Sequence, residues 1–238
     1  MIYKILPLLL FFTSSFTTTE IAKVVAPSKI LAENTAAPTA EEKVLSVYES
    51  LKSNNLALPK LESFSRALLG FYELKKQGVV TKDILTLVDF SLSSNSKRLW
   101  VIDLSTNTVL YNSLVAHGRN SGNEFAKNFS NKGESFQSSL GFYATGEIYN
   151  GKHGKSLRLD GLEKGVNDNA RSRAVVMHGA DYVSDSFVKN HTRLGRSLGC
   201  PALPVELNDE IITLIKDKSC LFIYHPSATS KIGVSYTL

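Results

Sequence analysis

After residue 40, the hydrophobic positions of the chain recur with a helical spacing. Residues three or four apart lie on the same face of a helix. One such face runs through Val44, Tyr48 and Leu51, and after Pro59 a second one runs through Leu61, Phe64, Leu68, Phe71 and Tyr72. The spacing predicts two amphipathic helices and a third, shorter helix over residues 82–90, all within a helical segment at 41–95.

From residue 96 onward, the pattern changes to short hydrophobic runs separated by Gly, Asn and Ser. These runs occupy residues 98–104, 108–117, 140–149, 155–159, 173–178 and 220–224. Such runs between turn-forming residues are typical of strands, and residues 205–216 keep a helical spacing. We therefore expect a mainly β (α+β) domain at 96–238. Two long turn-rich stretches, 118–139 and 179–197, are typical of loops that form binding-site walls or lids.

The N-terminus has the outline of a secretory signal. Lys4 precedes an apolar run over residues 5–12, which gives way to polar residues, and this order is typical of an export signal. The run is shorter than the roughly 20 residues needed to span a bilayer, so no integral membrane domain is expected, with an uncleaved anchor as the alternative. We predict a signal peptide over 1–19, without a defined cleavage point, a linker over 20–40, and an exported protein of the periplasm or cell envelope.

Composition narrows the class of protein. With 43% hydrophobic and 21% charged residues, the chain is too apolar for a disordered protein. Its net charge of +5 suits an anionic partner. Because no Lys/Arg cluster alternates with aromatic residues, however, a nucleic-acid partner is not expected. The two cysteines, Cys200 and Cys220, have no further ligand at zinc spacing, so no metal is expected.

The residues that suggest a chemical function lie in two short segments. One hydrophobic run ends at His178-Gly179, and after a loop the chain reads Gly-Arg-Ser-Leu-Gly-Cys-Pro-Ala over residues 195–202. A thiol becomes a nucleophile when an imidazole or a positive charge favours the thiolate, and converging N–H groups stabilise a tetrahedral oxyanion. Because Arg193 and Arg196 add positive charge, we expect a lowered pKa for the Cys200 thiol in an acyl-transfer site.

Other interpretations of these residues stay open at this point. A single cysteine is most often a small buried hydrophobic residue, and a single histidine is most often a hydrogen-bonded core residue. Cys220, within an apolar run, fits the description of an inert core cysteine. A disulfide between Cys200 and Cys220 is a further alternative, because an exported protein meets an oxidising compartment.

These segments resemble the catalytic signature of the L,D-transpeptidase family of peptidoglycan enzymes. The closest resemblance is to the branch with a Ser-x-Gly-Cys-Pro-Ala motif, which here occupies residues 197–202. The resemblance extends over residues 97–226, through segments 116–119, 129–131, 138–143, 149–154 and 167–170. It implies an L,D-transpeptidase-like β-sandwich catalytic domain, preceded by a small helical segment and working without a cofactor.

The resemblance also implies roles for the residues of the motif. Cys200 is the nucleophile, and His178 is the base that accepts its proton. The backbone N–H groups around Leu198, Gly199 and Cys200 form the oxyanion hole. Ser197 supports this turn by hydrogen bonding, and Gly179 leaves room for a substrate beside the base.

Several basic residues are candidates for substrate binding. Arg196, His117 and His153 are assigned to the substrate cleft, and the alternative for both histidines is a turn or surface residue hydrogen-bonded to the backbone. Arg158 and Arg173 are further candidates for clamping substrate carboxylates, and the alternative for all three arginines is a solvated charge. The sequence departs from the family pattern at Leu198, where most members have a second histidine.

The implied reaction is acyl transfer on peptidoglycan stem peptides. The thiolate attacks the carbonyl of the diamino acid in a tetrapeptide, expels the terminal D-alanine, and leaves a thioester that a neighbouring amine converts to a 3→3 crosslink. Water as the acceptor would instead give an L,D-carboxypeptidase, and a non-catalytic cell-wall-binding module is a third alternative. The choice of acceptor depends on whether a second groove holds the amine, and a long loop such as 118–139 can either build that groove or block it.

Overall fold

The computed structural model of the protein describes residues 39–228 and 232–233. The predicted signal at 1–19 and residues 20–38 of the predicted linker lie outside this range. Within it, four helices and eight strands follow one another: α1 (Ala40–Glu49), α2 (Leu61–Lys76), β1 (Ile84–Asp89), β2 (Leu99–Asp103), β3 (Thr108–Ser113), β4 (Gly141–Gly151), β5 (Gly154–Gly161), β6 (Val176–Gly179), α3 (Asp185–His191), β7 (Ala202–Leu203), α4 (Val205–Ile215) and β8 (Cys220–Tyr224). None of these helices has the length and hydrophobicity needed to cross a membrane.

The two predicted amphipathic helices are confirmed. A capping box begins α1: the Thr39 hydroxyl accepts a hydrogen bond from the Glu42 N–H, and the Glu42 carboxylate accepts one from the Thr39 N–H, which satisfies two otherwise unpaired helix donors. Helix α2 buries Phe64, Leu68 and Phe71 against the sheet. The helical segment therefore shares a core with the strands.

The predicted third helix over residues 82–90 is wrong, because this segment forms strand β1. Its side chains at Leu85, Leu87 and Val88 are all buried. β1 pairs antiparallel with β2 and parallel with β8, so both of its edges are hydrogen-bonded. Both of its faces are covered as well, because Leu85 and Leu87 enter the core beneath α2 and Val88 enters the core on the other side of the sheet. A strand buried on both faces is apolar at nearly every position and lacks the alternation that distinguishes a strand from a buried helix.

The eight strands form one sheet in the order β3-β2-β1-β8-β4-β5-β6-β7. One face packs on α2 through Trp100, Phe142 and Phe222. The other face forms a second core with α4, which includes Leu157 and Met177. The mainly β (α+β) fold with a small N-terminal helical segment is thus confirmed.

The two edges of this sheet approach each other. The chain continues from edge strand β3 to Ala116, which forms an antiparallel bridge with Ala202 in the opposite edge strand β7. Tyr111 of β3 also donates a hydrogen bond to Glu210 of α4, at 3.2 Å. The sheet therefore curls back on itself, so the layers of the predicted sandwich are parts of a single sheet. We call the place where these edges meet the seam. The candidate residues His178 and Cys200 lie beside it.

The contact between α2 and the sheet leads to a stability prediction. A Cβ added at Gly70 would lie 2.0 Å from Cζ of Phe142, and that ring is held by stacking on Phe222, at 4.1 Å between centroids. We expect Gly70→Ala to lower the free energy of unfolding by about 1–3 kcal/mol, although alanine favours an isolated helix by about 1 kcal/mol. Urea unfolding followed by circular dichroism measures this change.

A matched control is Ser65→Ala in the same helix. The Ser65 hydroxyl donates only to the Leu61 carbonyl of its own helix, and we expect this variant to stay within about 0.5 kcal/mol of the parent. A Gly70→Ala variant as stable as the parent would contradict the packing of α2 on β4.

Candidate active site

Strand pairing brings the two candidate catalytic residues into one cleft. β6 runs parallel to β7, with His178 opposite Ala202 and Gly179 opposite Leu203. Cys200 lies two residues before Ala202, so its turn is held beside the end of β6. His178 and Cys200 both line a cavity of about 430 Å³. No direct hydrogen bond joins their side chains among the described residues.

The turn that carries Cys200 is held by Ser197. The Ser197 hydroxyl donates to the Cys200 carbonyl at 2.6 Å and accepts from the Gly199 N–H at 3.0 Å. The backbone of Ser197 is paired as well: its N–H donates to the His117 carbonyl, and its carbonyl accepts from the Arg119 N–H. Ser197 thus fixes the turn both internally and against the neighbouring chain segment.

Gly199 occupies a position that only glycine tolerates. Its φ is +127°, and a Cβ there would lie 2.9 Å from the Gln137 carbonyl oxygen. Because the Gly199 N–H is bonded to Ser197, it is not free to stabilise an oxyanion. Of the three N–H groups named for the oxyanion hole, those of Leu198 and Cys200 form no hydrogen bond with another described residue.

The Cys200 thiol is a poorer acid than the sequence suggests. Its Sγ accepts a weak hydrogen bond from the Val176 N–H at 3.5 Å. Burial raises the pKa of this thiol, and the lowering effects of the Val176 N–H and the Arg173 guanidinium are smaller. The expected lowering of the Cys200 pKa is therefore wrong. The physical reason is burial, which Arg193 and Arg196 do not offset because they donate to the Leu194 and Gly122 carbonyls.

His178 is arranged as a neutral base. Its side chain is 3% exposed, and Nδ1 lies 2.9 Å from the Gly179 carbonyl oxygen. Because a carbonyl only accepts, Nδ1 carries the proton, and Nε2 is left to accept one. Burial lowers the pKa of His178, the bond to Gly179 opposes this, and the neighbouring His153 lowers it further. The imidazole is thus neutral at neutral pH.

The structure brings His153 to the cleft. This exposed residue lies in the tight turn between β4 and β5. Its ring stacks on His178, with 4.4 Å between centroids and 18° between planes. The same turn contributes Lys152 to the cleft wall, and Tyr149 and Tyr182 also line it. The sequence motif around His153 contained Lys152, but gave no reason to assign it a role.

The structure does not bring His117 to the cleft. This residue is 1% exposed. Its Nδ1 accepts from Nη2 of Arg98 at 2.8 Å, and its Nε2 faces the Gly122 carbonyl at 3.4 Å. Burial, together with the Arg98 charge, lowers the pKa of His117 to about 3. The expectation that His117 binds substrate is corrected: it is a neutral residue that supports the loop behind the site.

Two arginines line the cleft, but their guanidinium groups are directed mainly at loops. Nη1 and Nη2 of Arg173 donate to the carbonyls of Ser130 and Gln137, at 2.7 and 2.8 Å. Nη1 of Arg196 donates to the Gly122 carbonyl at 2.9 Å and to Asn123 at 2.8 Å. Arg158, the third candidate, pairs with Glu147 on the β4–β5 hairpin. The donors available to a substrate are therefore fewer than the sequence indicates.

The two cysteines are both free thiols. Cys220 is fully buried in β8, in the core beneath α2, and its burial raises the pKa of its thiol. The alternative of a Cys200–Cys220 disulfide is thus wrong. Within residues 39–228 and 232–233, no group of three His, Cys, Asp or Glu side chains is placed to hold a metal ion.

A family model described as the L,D-transpeptidase catalytic domain matches residues 57–224. The chain belongs to this family. The matched range includes α2 and β1 as well as His178 and Cys200, so the match begins within the predicted helical segment at 41–95. None of the curated proteins compared with the chain matches it.

Solved L,D-transpeptidase structures are among the similar proteins. One from Mycobacterium smegmatis shares 12% identity over 60% of this chain and 59% of its own, with a TM-score of 0.37. A mutant enzyme from Enterococcus faecium shares 12% over 60% and 50%, with a TM-score of 0.37. One from Xylanimonas cellulosilytica shares 12% over 76% and 93%, with a TM-score of 0.33. The chain therefore spans less than two thirds of the first two.

The different settings of the two cysteines predict different alkylation profiles. Because burial raises the Cys200 pKa, we expect its iodoacetamide labelling in the native protein to rise about tenfold per pH unit through neutral pH and to keep rising past the ordinary thiol pKa of about 8.5. Cys220 should react only after denaturation. Peptide mass spectrometry of protein labelled from about pH 6 to 10 measures both sites.

Arg173→Met removes a charge that favours the thiolate, so the Cys200 profile should move to higher pH. Arg119→Met is the control, because that guanidinium packs on Phe136 of the same loop and has no part in setting the Cys200 pKa. Labelling of Cys200 that is already complete below neutral pH would contradict the raised pKa.

Proposed function

We propose that this protein is a peptidoglycan L,D-transpeptidase that forms 3→3 crosslinks through a thioester on Cys200. The observation that carries the proposal is the pairing of β6 with β7, which sets a free thiol and a neutral imidazole in one cleft. A thiol and an imidazole are the minimal pair for covalent acyl transfer. Membership of the L,D-transpeptidase family supports peptidoglycan stem peptides as the substrate.

The first step forms the thioester. Nε2 of His178 accepts the thiol proton as Sγ of Cys200 bonds to the carbonyl carbon of the diamino acid in a stem tetrapeptide. The carbonyl oxygen becomes an oxyanion, for which the N–H groups of Leu198 and Cys200 are the available donors. When the carbonyl re-forms, the C–N bond to the terminal D-alanine breaks, and His178 gives its proton to the leaving amine.

The second step transfers the acyl group to an amine. The acceptor nitrogen bonds to the thioester carbon, the C–S bond breaks, and the proton lost by the amine passes through His178 to restore the thiol. Because burial keeps the Cys200 thiol protonated before substrate arrives, proton transfer to His178 accompanies attack. This limits side reactions of the free enzyme.

A second cavity favours an amine acceptor over water. It measures about 520 Å³, and its lining includes the loop residues Lys127, Asn128, Phe129, Ser130, Asn131 and Gln137. The carbonyls of Ser130 and Gln137 accept hydrogen bonds from Arg173, which itself lines the catalytic cleft. The two cavities thus share a wall, and the polar lining suits a peptide with amide and amine groups. We assign this second cavity to the acceptor stem.

The proposed substrate places the protein in the cell envelope. Peptidoglycan lies outside the cytoplasmic membrane, and the sequence of residues 1–19 has the features of an export signal. Export of the chain is therefore part of the proposal.

The catalytic roles are tested by Cys200→Ala and His178→Ala. Each change removes a reacting group from a cleft, so we expect both variants to remain folded and to lose turnover by a factor on the order of 10³ or more. Disaccharide tetrapeptide is incubated with purified protein, and mass spectrometry measures D-alanine loss and crosslinked dimer. Cys220→Ala, a change in the core away from the cleft, is the control that keeps activity.

Each product pattern in this experiment has a distinct meaning. Dimer with D-alanine release supports the proposal. D-alanine release without dimer would identify an L,D-carboxypeptidase, and binding to cell walls without either product would identify a non-catalytic wall-binding module. Turnover by Cys200→Ala comparable to the parent would overturn the thioester mechanism.

The acceptor assignment is tested by filling the second cavity. We expect Asn128→Trp to lower the ratio of dimer to hydrolysed monomer by about tenfold, which corresponds to about 1.4 kcal/mol of acceptor binding, while D-alanine release continues. Lys132→Trp, at an exposed position of the same loop outside the cavity lining, is the control. Equal ratios in the two variants would contradict the assignment.

A further inference from the structure

The stacked histidines are a feature that the reaction steps do not use. Strand β5 pairs with β6 so that Ser156 lies opposite His178. The turn before β5 therefore lies over the His178 ring. It places the His153 ring 4.4 Å from the His178 ring, with 18° between their planes. His178 is buried, whereas His153 is exposed. One face of the base is thus covered by a second imidazole that is in contact with solvent.

The stack supplies a restraint that the hydrogen bond of His178 lacks. The bond from Nδ1 to the Gly179 carbonyl fixes one edge of the ring, but the ring can still tilt about that edge. A flat ring packed on its face prevents the tilt. Together the two contacts fix the direction of Nε2, the atom that must accept the thiol proton.

The charges around His178 are of one sign. The cleft contains further titratable or charged groups from four parts of the chain. They are Lys152 and His153 in the β4–β5 turn, Arg173 in the segment before β6, Arg196 and Cys200 in the turn before β7, and the phenols of Tyr149 and Tyr182. No carboxylate is among the described lining residues, so no opposite charge there stabilises an imidazolium. Of these groups, His153 is in ring contact with the base.

We propose that His153 is a positioning residue for His178: its ring fixes the plane of the base, and a positive charge on that ring disfavours a second charge on the base. This inference rests on the proposed role of His178 as the base. Two stacked imidazolium ions would repel each other, so protonation of the exposed ring disfavours protonation of the buried one. The base consequently stays able to accept a proton in more acidic surroundings.

The two parts of this role are separated by two substitutions. His153→Phe keeps an aromatic ring for stacking but removes the charge, and His153→Ala removes both. Lys155→Gln is the control, because Lys155 is on the same hairpin but pairs with Asp209 away from the cleft. All variants are made in the full chain, and the exposed position of His153 makes them compatible with folding.

Two readouts are needed. The titration of His178, followed by NMR of its ring carbons, gives its protonation directly and requires no substrate. Single-turnover acylation of Cys200 by p-nitrophenyl acetate, with nitrophenolate release and the acyl-protein mass as signals, gives the rate at each pH. Neither readout depends on peptidoglycan. A protein that fails to crosslink stem peptides would therefore contradict the proposed function, and these two readouts would still test the role of His153.

We expect the His178 midpoint to rise by about half a pH unit or more in both His153 variants, because each loses the repelling charge. The pH at which the acylation rate falls on the acid side should move together with the His178 midpoint. The rate on the plateau should fall about tenfold in His153→Ala and stay within about twofold in His153→Phe, because the ring alone orients the base. An unmoved midpoint in His153→Phe, or an equal loss of plateau rate in both variants, would overturn the inference.

Discussion

The parallel pairing of two very short strands is the interaction on which the candidate site depends. β7 has only two residues, yet it pairs with β6 on one side and with Ala116 on the other. A short strand between two partners has few hydrogen bonds of its own, so its position is fixed by what holds the turns at its ends. Ser197, whose hydroxyl and backbone bond to both sides of the turn, supplies much of that restraint.

Behind this seam lies a buried charge. Arg98 is fully buried, and its guanidinium donates to the Val115 and Leu92 carbonyls and to His117. Burial lowers the pKa of Arg98 to about 9, and the nearby Asp89 opposes this effect. A buried cation is tolerated when its donors are satisfied. Here most of these donors bond to Val115 and His117, the residues on either side of Ala116. The charge therefore serves the closure of the sheet and has no contact with the cleft.

The sequence predicts most of the fold but only part of the site. Periodicity is sufficient for α2 and for most strands, and it fails at β1, where burial on both faces removes the alternation. The motif singles out Cys200 and His178 because their residue types and neighbours suit acyl transfer. It misplaces His117 and overstates the free charge of Arg196, because both depend on hydrogen bonds between segments far apart in the chain. Arg98 goes unnoticed, since a charged residue in a strand pattern gives no sign of being buried.

The absence of carboxylates among the described residues of the cleft has a consequence for how ligands arrive. Lys152, Arg173 and Arg196 surround an opening with no opposing charge in its lining, so the field at its mouth is positive and attracts anions as they diffuse. Such attraction between exposed charges is screened over about 8 Å at physiological ionic strength. The capture rate of an anionic ligand should therefore fall as salt is added, while a neutral ligand of the same size would enter at a rate that salt leaves unchanged.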